Sequence, residues 1–491
     1  MKSKVSKVFS ILLSVVLVIS SFYLLYQVIR LNVLPSKFLF PLTIGVVVLD
    51  AIFILLLVYF SKNVVSKIVC IVLTLFICVA SCMGGYYISK TQNVLSSITN
   101  VAKHAKNTVS VIVKESSSIK NKSQLNGVSV GSLRLNEQGS KKALKELSGE
   151  GIVLNQKEYD SMTALLEAFY NGEVDSIIIN ESSRSQILDM EAYSNFDSNT
   201  RVVYQTSYKV KNNDSATSVS DITSKPFNVL ISGSDTRGGF DENGRSDVIM
   251  IATVNPKTHT ILLTSVPRDF YVTTACDAGD GCMQGALDKI THTGIHGTNT
   301  TKRTVEQLLG IEINYTFKVG FDTVTELVDV LGGVDVYVEP GYATTTSEFS
   351  VHEGVNHLNA QQALAFARER YSYTEGDRQR TKNQQQVLMG IVKEATKPSV
   401  ITNYAAIMDT MANTFSTTMS NAEITDLIKY QLNNNPTWKM EQYMVDGTGD
   451  TLMCAELGDA ASVMVPDQST VKMAKDKINA VLAGKSSEDV K

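Results

Sequence analysis

The chain has 491 residues, 45 basic and 49 acidic side chains and a formal net charge of −4; at ~100–200 residues per domain it holds about two to four domains. A charge so near balance excludes a nucleic-acid binder that relies on a general basic surface. A mean hydropathy of +0.02 excludes a transporter that is apolar throughout, so the position of the apolar residues matters more than their number.

Three long apolar runs fall in the first 90 residues, at about Val8–Ile29, Phe38–Phe60 and Ile68–Ile88. Each approaches the ~20 residues that cross a bilayer. Backbone polar groups in lipid must be satisfied internally, so each run is expected to be a helix. The first run is too long for a cleaved signal peptide, lacks an A-x-A-like site and is followed by two more spans. Lys2, Lys4, Lys7, Lys62 and Lys67 lie on one side of these spans, and Arg30 and Lys37 on the other. That bias puts the N-terminus in the cytoplasm and everything after about residue 89 outside the cell membrane. Lys90, Lys103 and Lys106 on the outer side act against it. Cys276 and Cys282 bracket a short Gly/Asp loop and could form a disulfide in an oxidising compartment, leaving Cys454 over.

Residues 91–125 are rich in Ser, Lys and Asn and are expected to be a stalk. Val128–Gly131, Gly151–Leu154 and Ser176–Ile179 read as strands, with helices near Gly139–Leu147 and Asp160–Asn171 between them. In the second helix Asp160 is the expected N-cap, Met162, Leu165, Leu166 and Phe169 follow at helical spacing, and Gly172 is the stop. The alternation implies a small α/β accessory domain over 126–206. It resembles one lobe of a solute-binding protein, and a spacer or docking role suits it better than sensing. A polar linker over 207–226 ends at Pro226. A second domain core is expected over 227–395, completed by helices and strands over 396–483 that include late strands at Thr437–Val445 and Ala461–Val465. Residues 484–491 read as a disordered tail.

The arginines carry the sharpest chemical signal. The chain has twelve; Arg237, Arg245, Arg268, Arg303, Arg368, Arg370, Arg378 and Arg380 lie in one stretch, and none follows Arg380 although lysines continue. Guanidinium is a planar fork suited to bidentate phosphate or carboxylate recognition. FNVLIS (227–232), VIMIATV (248–254) and ILLTSV (261–266) read as strands, the last two antiparallel across Asn255-Pro256-Lys257-Thr258. Asp235, Arg245, Asp247 and Arg268 would then converge on one sheet edge. Two carboxylates there suit Mg²⁺, which takes one or two carboxylates plus substrate phosphates; as turn formers they would bind nothing. Asn359 with Gln362 forms a capping box. Arg368 and Arg370, two apart, share a face only if the helix ends near Arg368. Asp377 is the expected N-cap of the next helix, with Arg380 and Gln384 on one face. A cation in a first turn opposes the helix dipole, so an anionic partner is expected.

FDTVTELVDVLGGVDVYV (321–338) reads as helix, Gly-Gly break and strand, either plain core or one wall of a lipid groove. His292 and His296 are four apart, but the cysteine spacing fits no zinc module. Ser234 lacks the G-x-S-x-G frame of a nucleophile turn.

The blocks NVLISGSDTR, GRSDVIMIATVNP, LTSVPRD, DKITHTG and FARERYSYTEGDRQRTKNQQQV, in that order over about 227–390, resemble the LytR–CpsA–Psr family of Gram-positive cell-envelope enzymes. With the three-span anchor and the intervening module, the chain is similar to that family's streptococcal capsule-associated type. The resemblance implies an α/β fold in which an α/β/α sandwich carries a lipid groove. It implies a phosphotransferase moving a glycopolymer, capsular or teichoic-acid-like, from undecaprenyl pyrophosphate to peptidoglycan. It puts Mg²⁺, or Mn²⁺ in its place, on Asp235 and Asp247. Pyrophosphate binding falls on Arg245, Arg268, Arg368, Arg370, Arg380 and Gln384, with Lys289 also facing the substrate. Asp235, Arg268 and Arg380 are the candidate catalytic residues, Asp235 as acceptor of the hydroxyl proton. The Cys276–Cys282 pair is a local variation between two of the blocks. Two other readings stay open: hydrolysis of the same pyrophosphate, and a non-catalytic membrane sensor or regulator. The second has little cytoplasmic chain to act through and no helix-turn-helix.

Overall fold

The first apolar run forms helix α1 (Lys2–Leu31) and the second α2 (Ser36–Leu55), which runs on as a π turn over Leu56–Phe60. The third forms α3 (Val64–Thr99). In this computed structural model, residues 2–60, 63–99, 104–134, 137–234, 242–277, 281–397, 406–407, 410 and 415–490 are described. The chain divides into two units: Met1–Thr99 with Lys393–Ala412 and Ser420–Thr437, and Asn100–Val392 with Asn413–Met419 and Trp438–Lys491.

In the first unit all three helices are long and apolar enough to cross a membrane. Their outward faces carry exposed Ile19, Phe40 and Phe76, as lipid-facing helices do. Inside, α1 and α3 approach closely: a Cβ on Gly85 would stand 2.5 Å from the Tyr23 ring. Ser21 Oγ donates to Asp50 Oδ1 at 2.9 Å, giving the buried carboxylate of α2 a partner. A later helix, Asn421–Asn434, opens with a Ser420/Glu423 capping box and joins this unit. Its Lys429 donates to Asn32 Oδ1 at 2.7 Å, and Lys37 donates to its Asn433 carbonyl at 2.6 Å. The expectation that all of 396–483 completes the catalytic domain is corrected on this point.

The expected stalk over 91–125 does not exist as such. Residues up to Thr99 continue α3, and strand β1 (His104–Lys114) lies inside a sheet. Val109, Val111, Ile112 and Val113 are fully buried there, an apolar run short enough to vanish in a polar average. The other strands are β2 (Ser129–Leu133), β3 (Asn155–Tyr159), β4 (Ser176–Asn180) and β5 (Thr200–Lys211), in the order β3-β2-β4-β1-β5. β2 runs parallel to β3 and β4, and β1 antiparallel to β4 and β5. The expected linker is therefore shorter, because β5 occupies the chain to Lys211. The strand expected at Gly151–Leu154 lies just downstream, in β3: an exposed edge strand of sequence NQKEY carries no apolar alternation to find.

Helices α4 (Glu137–Gly149), α5 (Met162–Asn171), α6 (Arg184–Asp189) and α7 (Phe196–Asn199) cover this sheet. Met162, Leu165, Leu166 and Phe169 of α5 are buried as expected, and Gly172 closes it at φ 80°. The cap is Ser161 rather than Asp160, its hydroxyl accepting from Ala164 N–H at 3.1 Å.

The larger domain begins with β6 (Phe227–Ser234), β7 (Val248–Asn255) and β8 (Thr260–Val266), paired antiparallel in sequence. β9 (Tyr271–Thr273) pairs with β10 (Leu287–Lys289). Then come α8 (Thr298–Leu309), β11 (Tyr315–Gly320), α9 (Phe321–Leu331) and β12 (Val334–Val338), which matches the expected helix, break and strand. A small hairpin, β13 (Thr344–Thr345) with β14 (Ser350–Val351), precedes β15 (Gly354–Leu358), the partner of β12. Helices α10 (Ala360–Arg368) and α11 (Asp377–Ala395) follow. The chain closes with β16 (Phe415–Thr417), β17 (Lys439–Met444), β18 (Gly447–Cys454), β19 (Asp459–Pro466) and α12 (Gln468–Leu482). The main sheet has the order β16-β11-β6-β7-β8-β17.

Strand alternation divides this sheet into two faces. Leu230, Ile249, Ile251 and Leu262 pack with Val305 and Leu309 of α8 and Val471 and Ile478 of α12. Ile231, Val248 and Met250 face the other way, towards Val324 of α9, Leu364 of α10 and Val387 of α11. The result is a sheet between helical layers, the α/β/α arrangement expected.

The supposed disordered tail is docked. Glu441 of β17 is 4% exposed. Its carboxylate accepts from Ser487 N–H at 2.8 Å and Ser486 Oγ at 2.8 Å, and pairs with Lys439 at 2.8 Å. Burial pushes its pKa up, but Lys439, Ser487 and Ser486 outweigh that and bring it down to about 2. A buried carboxylate needs these partners, and the tail supplies them. An unfolded glutamate titrates near ~4.3. The stabilisation is therefore complete above that pH and lost as pH falls towards about 2. Removing residues 486–491 is expected to cost about 1–3 kcal/mol, measured by chemical denaturation at pH 7. Glu441→Gln is expected to flatten the loss of stability between pH ~4.3 and about 2.

Candidate functional site

The end of β6, the start of β7 and the end of β8 share one edge, because Gly233 pairs with Val248 and Ile249 with Val266. Asp247 N–H donates to the Gly233 carbonyl at 2.8 Å, which fixes the residue just before β7. Arg268, two residues beyond β8, donates from Nη1 to Asp247 Oδ1 at 2.8 Å. Arg245 Nη2 stands 3.8 Å from the same oxygen. Lys289, at the end of β10, reaches Asp269 Oδ1 at 3.3 Å. Arg245, Asp247 and Arg268 therefore meet on this edge as expected, with Lys289 close by through Asp269; Asp235 lies outside the described residues.

The second half of the cluster comes from α10 and α11. The Asn359/Gln362 capping box is present, and α10 ends at Arg368 with Glu369 extended at φ −68°, ψ 128°. Arg370 is thus on extended chain, its guanidinium 4.7 Å from the Tyr371 ring and donating to Tyr371 Oη at 2.6 Å. Arg368 is exposed on the last turn. Asp377 is the first residue of α11 rather than its cap, a shift of the size at which helix ends are defined. Its carboxylate pairs with Arg380 at 2.5 Å. Arg303 and Arg378 are taken by Asp277 and Asp446.

The electrostatics show how crowded the positive charge is. Burial lowers the pKa of Arg380, and the like charges of Arg268 and Arg370 lower it further against the pull of Asp377. For Arg268 burial acts downwards too, but Asp247 and Asp269 outweigh it and the pKa is raised. The Nε of Arg245, of Arg268 and of Arg380 is each buried with no hydrogen-bond acceptor among the described residues. Three unmet guanidinium donors beside one another call for an anion rich in acceptor oxygens.

Two spaces lie in this part of the domain. One is an apolar groove of about 80 Å³ between the sheet and α9–α11, walled by Ile231, Val248, Val324 and Leu388 and reaching Ser234 and Gln384. The other is a polar cavity of about 540 Å³ that reaches Arg245, Arg268 and Lys289 and continues to the accessory domain. Asp189 of α6 pairs with Arg245 from that side.

Several residues that hold the site went unnoticed in the sequence. Ser246, between Arg245 and Asp247, shares buried hydroxyl contacts with Ser232 at 2.9 Å and Thr301 at 3.0 Å. Its N–H donates to the Thr291 carbonyl at 3.0 Å. Asp288 accepts from Lys289 N–H at 2.7 Å and Glu456 N–H at 2.8 Å and pairs with His292 Nδ1 at 2.7 Å. Burial acts to raise the Asp288 pKa, but His292 and these N–H groups hold it below the usual carboxylate range. Serine and threonine have no distinctive spacing, so only the DKITHTG block could have flagged this frame. His296 pairs with Glu456 at 2.9 Å, and Cys276 and Cys282 are joined in a disulfide with Cα–Cα 6.5 Å. That pairing leaves no zinc site around the two histidines, and among the described residues no group of three His, Cys, Asp or Glu suits a metal.

For a divalent ion, the donors at the sheet edge are Asp247 and, beside it, the Ser234 hydroxyl, which is buried with no partner among the described residues. Hard oxygen donors with few protein ligands fit an ion that completes its shell from phosphate oxygens and water.

A family model described as the LytR_cpsA_psr family matches residues 192–480. The chain is 31% identical over 241 residues to the polyisoprenyl-teichoic acid–peptidoglycan teichoic acid transferase TagU of Bacillus cereus (strain AH820), covering 48% of this chain and 76% of that one. It is 35% identical over 196 residues to the protein of the same name from Bacillus subtilis (strain 168), covering 40% and 60%. The crystal structure of B. subtilis TagU aligns with a TM-score of 0.41 at 28% identity, over 52% of this chain and 97% of that one.

Gly294 tests the frame. A Cβ there would stand 2.5 Å from the Gly244 carbonyl, Ser246 N and Ser246 Oγ, so the turn after β10 can touch the Arg245–Asp247 segment only if residue 294 is glycine. Gly294→Ala is expected to displace that segment at about 1–3 kcal/mol. Calorimetry should show weaker binding of inorganic diphosphate by a protein that still unfolds cooperatively.

Proposed function

The chain belongs to the LytR_cpsA_psr family, and from that membership we propose that it is a membrane-anchored phosphotransferase. It moves a glycopolymer, capsular or teichoic-acid-like, from undecaprenyl pyrophosphate to a peptidoglycan sugar hydroxyl. The observation that carries this reading is the trio of buried guanidinium donors of Arg245, Arg268 and Arg380, unmet among the described residues, together with an apolar groove that reaches Gln384, one turn along α11 from Arg380. A polyprenyl diphosphate is an anion with an apolar tail, and it answers both features. The printed name of the B. cereus relative, a polyisoprenyl-teichoic acid–peptidoglycan teichoic acid transferase, supports the same class of donor. The lysine bias around the three spans supports a cytoplasmic N-terminus and a catalytic domain outside the cell membrane.

The acceptor hydroxyl oxygen forms a bond to the phosphorus that carries the polymer. The bridging P–O bond to the lipid-side phosphate breaks, and undecaprenyl phosphate leaves. The hydroxyl proton passes to a carboxylate, for which Asp235, outside the described residues, is the candidate. Arg268 and Arg380 lie where negative charge accumulates on the leaving phosphate, and Arg245, Arg370 and Lys289 hold the diphosphate in line; Arg368 and Gln384 flank it. Phosphoryl transfer needs chiefly such positioning and charge neutralisation. Asp235 and Asp247 would hold Mg²⁺, or Mn²⁺ in its place, which would further neutralise the diphosphate. Asp247 also aims Arg268 through their 2.8 Å hydrogen bond.

Arg268→Ala is expected to abolish attachment of polymer to the wall in a strain lacking paralogues, with the variant folded by circular dichroism. Unchanged wall-bound polymer would overturn the proposal. With purified full-length protein, chelation should stop transfer and Mg²⁺ or Mn²⁺ restore it. Product analysis with and without peptidoglycan separates transfer from hydrolysis: transfer yields a wall-linked phosphodiester only when peptidoglycan is present.

A further inference from the structure

The polar cavity of about 540 Å³ has a second wall that the catalytic domain does not make. Gln186 of α6 lines it and is 2% exposed, and among the described residues neither its amide nitrogen nor its amide oxygen has a hydrogen-bond partner. On the catalytic-domain side, Thr291 is also 2% exposed, and its hydroxyl has no hydrogen-bond partner among the described residues. Tyr193, stacked on Tyr170 at 5.4 Å and 25°, adds an aromatic surface to the same wall. Buried polar groups without partners are rare, and two facing one cavity point to a ligand that satisfies both.

The chemistry of that ligand can be narrowed. A carboxamide that must both donate and accept suits neutral hydroxyls better than phosphate oxygens, which only accept. Glu167, Glu191 and Asp459 also line the cavity and disfavour a second anion beside them. The volume lies within the range of small-molecule sites. The cavity reaches Arg245 and Arg268, and the apolar groove reaches Ser234 and Gln384, the latter one turn along α11 from Arg380. If a lipid diphosphate binds as proposed above, on which this inference rests, the tail fills the groove and the cavity receives what stands beyond the diphosphate.

We propose that the cavity is a saccharide subsite whose reading wall is supplied by the accessory domain, with Gln186 and Thr291 contacting hydroxyls of a sugar ring beside the diphosphate. Gln186 lies outside residues 192–480, so this residue of the wall, unlike Tyr193, is not part of the stretch matched by the family model. The sugar can come from the donor polymer or from the acceptor glycan, and the two sources separate in titration.

The test uses full-length protein in detergent and three probes: geranylgeranyl diphosphate, the same lipid diphosphate carrying N-acetylglucosamine, and a peptidoglycan disaccharide added to protein loaded with the bare lipid. Gln186→Met keeps the volume and removes the hydrogen bonds. It is expected to weaken the glycosylated lipid about tenfold while leaving the bare lipid unchanged. A tenfold loss confined to the disaccharide supports the subsite and assigns it to the acceptor. No change with either sugar, or an equal loss with bare lipid, overturns the proposal. Thr291→Val carries the same expectation from the opposite wall if Gln186→Met fails to fold. Wild-type protein that ignores bare lipid diphosphate yet binds the disaccharide through Gln186 would sink the phosphotransferase reading and leave the subsite standing; binding of no probe sinks both.

Discussion

Positive charge held close together and away from water sets the terms for the rest of this domain. Arg380 is buried near Arg268 and Arg370, and its proton affinity falls accordingly. Such an arrangement persists only when the surrounding structure imposes it. Here Asp247 and Asp377 each hold one guanidinium and leave its Nε unmet among the described residues. The carboxylates are enough to keep the arginines in place and too few to satisfy them.

The imposition is mechanical as well as electrostatic. Antiparallel pairing of β6, β7 and β8 puts three chain ends on one edge. The hydroxyls of Ser232, Ser246 and Thr301 then lock the segment between Arg245 and Asp247 from beneath. Arg268 and Asp247 are 21 residues apart in sequence and joined by one hydrogen bond. The accessory domain adds a lateral restraint through the Asp189–Arg245 pair. Chemistry and restraint thus come from different parts of the chain.

What the sequence revealed follows from how local each signal is. The Arg368/Arg370 spacing forced a helix end, and Glu369 is extended where that argument required. Runs such as VIMIATV announce strands buried on both faces. β1 and β5 escaped because their residues are mostly polar on one side, so composition resembled a stalk and a linker. The docked tail escaped because its partner, Glu441, lies 46 residues away from Ser487 and nothing in SSEDV signals that contact. Asp189 and Gln186 could not be tied to the site at all, since only the packing of one domain against the other brings them to the same cavity as Arg245.

The alternation along β7 has one further consequence. Ile249 and Ile251 belong to the packed interior, while Val248 and Met250 form the greasy channel wall. A slip of a single residue in this strand would exchange the two sets. Deletions or insertions within 248–254 would then plug the channel and hollow out the interior in one event. Length variation among descendants of this gene should therefore collect in the connecting loops and spare that strand.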